Sequence, residues 1–552
     1  MKWFDDIPAG WFVLALGAIL FLPFLGNVHL FDWDEINFAE SAREMLETGN
    51  YLLVQINYQP FAEKPPLFFW MQAGAMHLFG VNEFSARLPN ALIGMVTLWV
   101  VFRIGTRLHS RGFGVVWSLL YAASFLPHLY FKSGIIDPTF NLFIFLGVDF
   151  ASRLTAPDEF SPPKVRRRHR RQAVVAAGVF VGLAVLTKGP VGLLLFTLTY
   201  LAYYVFDRFR RMNTIGELVL FVVVVAFTTS IWYGTITWLH GPDFLRGFIQ
   251  RHLELAGTED AGHGGPFYYH LIVLLLGCFP ASVLMFNGLR RRDDTRTGVR
   301  LAQRWMLCLL LVVVVIFSIV QTKIIHYSSL AYLPLTFFAA VSVHGMLTRR
   351  IAWSWYHALM LLVIGIAWGL AAVATPFVGM NPDAVIPLID DPFARANLEA
   401  TVHWSFRDML VGALFIVALV AVAVTAGFGH VRTAFAVLII ACLLFVQSLL
   451  YFFVPRIERY TQRAAIEFFE SKQDEDCYIG VLGYKSYAPY FYARHRMLPN
   501  ERLLTEDLAL PVYFVTRVDR LDHWLEAHPD LVEIDRRNGF VFLTRSEADA
   551  AD

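Results

Sequence analysis

A chain of 552 residues that is 57% hydrophobic and only 16% charged, with positive mean hydropathy, is too apolar for a set of soluble domains and reads as a bilayer-embedded protein. Its formal net charge of +1 carries little information, because the position of Lys and Arg along a membrane chain matters more than their sum. Cys278, Cys308 and Cys442 sit inside apolar runs and Cys477 stands alone in the polar tail, which excludes a disulfide framework and any zinc-finger spacing.

A spanning helix needs roughly 20 apolar residues. Runs of that kind fall near 11–28, 86–104, 113–131, 136–153, 173–188, 190–206, 215–239, 267–288, 303–321, 325–346, 352–375, 408–427 and 433–454, giving about thirteen crossings. The first has no small-residue cleavage site after it and reads as an uncleaved anchor. Basic residues occupy alternate loops, at Arg103, Arg107 and Arg111, Arg166 to Arg171, Arg208 to Arg211, Arg290 to Arg292, and Arg349 with Arg350. The positive-inside rule makes these loops cytoplasmic and turns the loops around Asp34, Asp137, His252 and Lys323 outward. The Lys164–Arg171 run is then a membrane anchor, and no nucleic-acid partner is expected.

The first outward segment, 29–85, holds Asp32-Trp33-Asp34-Glu35, and Ile36, Ala39, Met45 and Leu46 then form an apolar stripe that predicts an amphipathic helix along the membrane surface. Asp34 and Glu35 serve either as a helix N-terminus complementing the dipole or as acid–base residues. Further on, Glu63-Lys64-Pro65-Pro66 fixes Lys64 ahead of a proline-initiated helix, where an ammonium suits a phosphate or a lipid headgroup.

Asp137-Pro138 between two apolar runs is a turn residue or a second carboxylate of a site. Arg251 and His252, then Lys323 and Tyr327, add cations and a phenol in later outward loops. No cofactor is fixed by the sequence; Glu63 with His252 is a candidate divalent-cation pair. From Arg456 hydropathy drops. Helical stretches at 456–471 and 519–528 alternate with strand-like runs at 478–484, 512–518 and 539–544, which predicts a small α/β domain over 456–552 after a membrane domain over 1–455.

The first-loop Asp34-Glu35 and Phe38-Ala39-Glu40-Ser41-Ala42-Arg43-Glu44-Met45, with Glu63-Lys64-Pro65-Pro66 and its aromatics, resemble the protein mannosyltransferase superfamily, above all the bacterial aminoarabinose transferases that act on lipid A. Arg87-Leu88-Pro89, Asp137-Pro138 and Pro266-Phe267-Tyr268-Tyr269 extend the likeness across most of 1–345, and Lys323 with Tyr327 resembles the family's Lys-x-x-x-Tyr stretch. The resemblance implies a GT-C glycosyltransferase of the bacterial inner membrane with a periplasmic site and a polyprenyl-phosphate sugar donor, commonly undecaprenyl phosphate. It also implies a catalytic Asp34 supported by Glu35 and Asp137, and a donor phosphate met by Lys64, Arg251, Lys323 and Tyr327. The acceptor is lipid A or another glycolipid, with a polysaccharide or a protein Ser/Thr hydroxyl as alternatives. After Asp34-Glu35 this chain carries Ile36-Asn37-Phe38 where the aminoarabinose transferases carry a basic–aromatic pair. A lipid or sugar flippase is the competing class, but it would call for internal repeats and mid-bilayer charges that the sequence lacks.

Overall fold

A computed structural model describes residues 9–155, 163–210, 212–257, 264–290 and 297–546. By length and composition, seven of the described helices can cross a membrane, or eight if the pair Ile215–Ser230 and Tyr233–His240, bent by 51°, is one span. Ala9–Phe21 and Val191–Phe206 are shorter apolar helices. Several expected spans are interrupted. The run near 113–131 breaks at Ser124 into Arg111–Ala123 and Phe125–Tyr130, where the Ser124 hydroxyl donates to Leu120 O at 2.7 Å. The run near 267–288 divides around Pro280, which lacks the amide a continuous helix needs.

Burial orders the bundle. The span Ile325–Leu347 is 83% buried, whereas Trp355–Met380 and Phe406–Gly427 are 28% buried and turn most of their surface outward. These two peripheral helices approach through glycine: a Cβ on Gly412 would sit 2.2 Å from Gly369 O, so only a bare backbone allows the contact.

The helix predicted in the first loop forms at Asp34–Thr48, but it is not a surface helix. Ile36, Ala39 and Ala42 pack on Phe469, Phe491 and Phe542 of the C-terminal segment, while Phe38 and Met45 pack on Phe68 and Phe69 of the following helix, Leu67–Phe79. Its polar side is also buried: Arg43 pairs with Glu40 at 2.7 Å and with Glu47, and Glu44 accepts from the Tyr58 amide at 2.9 Å. The helix is covered by protein on both sides rather than open to water, and ion pairs within it neutralise the charges that would otherwise keep its polar face in water.

The C-terminal segment carries helices Val454–Thr461, Arg463–Ser471 and Leu521–Ala527 and a four-stranded sheet. Strand Tyr478–Leu482 runs parallel to Val512–Arg517, which pairs antiparallel with Phe540–Arg545, and Leu531–Arg537 closes the edge. Leu531–Arg537 is absent from the predicted strands; it is an edge strand with six of its seven residues exposed, four of them charged, unlike the apolar runs of the other three.

Candidate active site

Two helix N-termini aim carboxylates at one cavity. Asp34 opens Asp34–Thr48, and Asp137, followed by Pro138, opens Asp137–Ser152; the positive end of each helix favours the ionised side chain. Lys188 ends the helix Pro163–Lys188, where a cation complements the opposite pole. Its Nζ lies 2.6 Å from Asp137 Oδ1. His326, in a short 3-10 helix at Ile325–Ala331, sits between the acids, with Nε2 3.4 Å from Asp34 Oδ2 and 3.9 Å from Asp137 Oδ2. These four residues, with Glu63, Lys64, Tyr130 and Tyr327, line a cavity of about 760 Å³.

Lys64 stands beside Pro65-Pro66, ahead of Leu67–Phe79. Burial pulls its pKa below the ordinary lysine value; the charges of Glu63, Asp34 and Asp137 oppose that fall and Lys188 adds to it. An ammonium so desolvated gains when an anion arrives. Lys188 also lies 5.3 Å from the centre of the Tyr327 ring, so the second cation and the phenol share one wall.

The remaining candidates separate. Glu35 touches the cavity, but Arg87 donates to its two oxygens at 3.0 and 2.8 Å, Phe31 N donates at 2.9 Å and Gly134 N also donates. Burial alone would raise the Glu35 pKa, yet the Arg87 guanidinium and the amide donors hold it below the usual carboxylate range. The Glu35 carboxylate thus has its acceptor positions filled by protein donors. Lys323 is not among the cavity-lining residues: its ammonium donates to Phe317 O at 3.1 Å, Ser318 O at 2.7 Å and Val320 O, capping the C-terminal end of helix Thr297–Ile319. Its ammonium is thus turned away from the cavity that holds Asp34, Lys64 and Asp137. The side chains of Arg251 and His252 lie outside the described residues, and with them the Glu63–His252 cation pair.

Lys188 and His326 are the functional candidates that residue reading missed. The available signal was Thr187-Lys188-Gly189-Pro190, a lysine at a break between two apolar runs on the side assigned to Asp137. His326 lay inside a stretch read for Lys323 and Tyr327.

The C-terminal segment holds the site's first strand of chain. Tyr492 Oη accepts from Leu30 N at 2.7 Å, Gln462 Nε2 donates to Leu30 O at 2.8 Å, and Trp33 Nε1 donates to Lys485 O at 2.9 Å. The Asp32 carboxylate accepts from Tyr487 N at 3.1 Å; burial pushes its pKa up to about 6 despite that bond.

A helical bundle with carboxylates and ammonium groups gathered in one terminal cavity defines a class: the chain has the GT-C glycosyltransferase fold. It superposes on the crystal structure of ArnT from Cupriavidus metallidurans bound to undecaprenyl phosphate with a TM-score of 0.74 at 20% identity, covering 99% of this chain and 100% of that one. The apo oligosaccharyltransferase of Archaeoglobus fulgidus gives 0.53 at 11% identity, over 94% of this chain and 71% of that one. The family model for dolichyl-phosphate-mannose-protein mannosyltransferase matches residues 63–233. In sequence the chain resembles the undecaprenyl phosphate-alpha-4-amino-4-deoxy-L-arabinose arabinosyl transferases. It is 27% identical to that of Shewanella sediminis over 60% of this chain and 59% of the relative, and 26% identical to that of Edwardsiella ictaluri over 66% and 65%. The match thus spans about three fifths of the length of these relatives.

Proposed function

We propose that this chain transfers a sugar from a polyprenyl-phosphate donor, undecaprenyl phosphate first among them, to lipid A or another glycolipid at the periplasmic face of the bacterial inner membrane. The observation that carries the reading is the single cavity shared by Asp34, Asp137, Lys64 and Lys188. In the reaction the bond from the anomeric carbon to the phosphate oxygen breaks and its electron pair stays on the phosphate. Lys64, with Lys188 and Tyr327, meets that growing charge from preorganised positions. The acceptor oxygen bonds to the anomeric carbon; a hydroxyl acceptor gives its proton to Asp34, while a phosphate acceptor has none to give and Asp34 orients it. His326 holds Asp34 and Asp137 in register, and Glu35 fixes the start of the Asp34 helix through Arg87.

One helix supports this orientation. Arg87, beside the site, and Arg107, in the basic belt, lie 20 residues apart on Glu83–Leu108, a rise of roughly 30 Å. With the basic end cytoplasmic, the site faces the periplasm, where nucleotide sugars are absent and a lipid-linked donor is required. Counting the short and interrupted apolar helices as spans packed within the bundle gives about thirteen crossings and puts the sheet-bearing segment from 456 onward on the site's side.

The Ile36-Asn37-Phe38 stretch supports a second acceptor reading, a polysaccharide or a protein hydroxyl. The deciding experiment is transfer from an undecaprenyl-phosphate sugar in proteoliposomes, with lipid A mass spectrometry of cells carrying or lacking the protein. A shifted lipid A mass supports the first reading. Transfer with an unchanged lipid A spectrum moves the acceptor to the second, and no transfer by stably folded protein to any acceptor ends both.

A further inference from the structure

Away from the cavity, the chain builds a second cluster of ligand-bearing side chains from three distant segments. His29 follows the first helix, Glu83 opens Glu83–Leu108, and Glu470 lies on Arg463–Ser471 of the C-terminal segment. Their imidazole nitrogen and carboxylate oxygens lie within 4.8 Å of one another. We infer that His29, Glu83 and Glu470 form a divalent-metal site, suited to Zn(II), that fastens the C-terminal segment to the membrane-embedded part.

The geometry has the features such a site needs. His29 Nε2 and Glu470 Oε1 are 3.6 Å apart, close to the roughly 3.3 Å that separates adjacent ligands on a tetrahedral ion with bonds of about 2.0–2.1 Å. The opposite nitrogen, Nδ1, is 2.7 Å from Oε1 of the fully buried Glu458. That is the carboxylate–histidine arrangement that fixes a metal-binding tautomer and makes the ring a better donor. Glu83 is oriented in the same way, since Oε1 accepts from the Tyr492 hydroxyl at 3.1 Å. Three carboxylates converge on one imidazole and Arg463, reaching Glu458 at 3.4 Å, offsets only one of them, so an excess of negative charge faces the ligand atoms. Glu470 is 43% exposed, which leaves a path for the ion and for a water as fourth ligand.

The clip reaches the cavity through covalent and hydrogen-bonded structure. Arg87 Nη2 donates both to His29 O at 2.9 Å and to Glu35 at 2.8 Å, and Glu35 adjoins Asp34. Fixing His29 thereby fixes the segment on which Asp34 is mounted. This inference stands apart from the transfer reaction, and its test reads metal rather than sugar.

The full chain in nanodiscs, stripped with a chelator, is titrated with ZnCl₂ and separately with CoCl₂. The expected result is one tightly bound ion, a visible Co(II) absorption of four-coordinate type, and a rise in the thermal unfolding midpoint. Glu470→Gln, at an exposed position where folding is retained, is expected to weaken binding by at least on the order of tenfold and to abolish most of the thermal shift. His29→Gln removes the imidazole ligand and should do the same; if it does not fold, Glu470→Gln decides alone. Stripped parent protein that binds neither ion, or Glu470→Gln binding as the parent does, overturns the site and leaves the cluster as a protonated-histidine ion pair.

Discussion

The Arg87–Glu35 pair offers the sharpest test of how the site is held. Both side chains are 5% exposed, and Arg87 additionally donates to Leu25 O at 2.9 Å, Val28 O at 2.7 Å and His29 O at 2.9 Å. Arg87→Met leaves a buried, ionised carboxylate without its partner, a loss of about 3–5 kcal/mol, and three carbonyls lose a charged donor at about 1 kcal/mol each, so destabilisation of roughly 6–8 kcal/mol is expected. Arg87→Met with Glu35→Leu removes both charges and should recover most of the carboxylate cost. Glu35→Gln alone keeps an acceptor for Phe31 N or Gly134 N and should destabilise less than Arg87→Met. The assay is denaturant unfolding in mixed micelles, scored beside turnover per folded molecule. If Arg87→Met costs under about 1 kcal/mol, the reasoning fails, since that value belongs to an exposed pair. If Glu35→Gln stays stable yet loses turnover as completely as Asp34→Asn, Glu35 is chemical rather than positioning.

Asp34→Asn and Lys64→Ala should each abolish transfer in proteoliposomes while expression stays intact; removing a single preorganised contact to developing charge costs about 10²–10³-fold, and parent-like turnover in either variant would rule out its role. Lys188→Ala should fall in the same range, and its rescue by Lys188→Arg would point to charge beside Asp137 rather than shape. Because burial depresses the Lys64 pKa in the free protein, kcat/KM for donor should fall on an alkaline limb below the ordinary lysine value as the ammonium loses its proton. Lys64→Arg should move that limb upward, and an unmoved limb assigns it to another group. Lys323→Met should lower the unfolding midpoint by removing the cap on Thr297–Ile319 while turnover per folded molecule stays near the parent; a selective rise in donor KM would return Lys323 to the phosphate site.

Residue patterns carried the membrane class and three of the four C-terminal strands, because each rests on a local signal, apolar length or a short β-branched and aromatic run; the sharing of one cavity by Asp34, Lys64 and Asp137 was legible only through the family resemblance. What they could not carry were partners distant in sequence. Glu35 and Arg87 are 52 residues apart, so nothing near Glu35 announces that its oxygens are taken. The placement of Lys323 was hidden for a related reason, since its charge turns back on the preceding helix's carbonyls, a direction that spacing does not encode. The first-loop helix was legible as a helix but not as a buried one. Its burial depends on Phe469, Phe491 and Phe542, more than 400 positions further along the chain.

Leu30, Asp32 and Trp33 are clasped by Gln462, Lys485, Tyr487 and Tyr492, so segments more than 400 residues apart complete one another. During synthesis Asp34 emerges more than 400 residues before the groups that brace its neighbours. The chain around Asp34 is therefore set in place only once the segment from 456 onward has been made and folded against it.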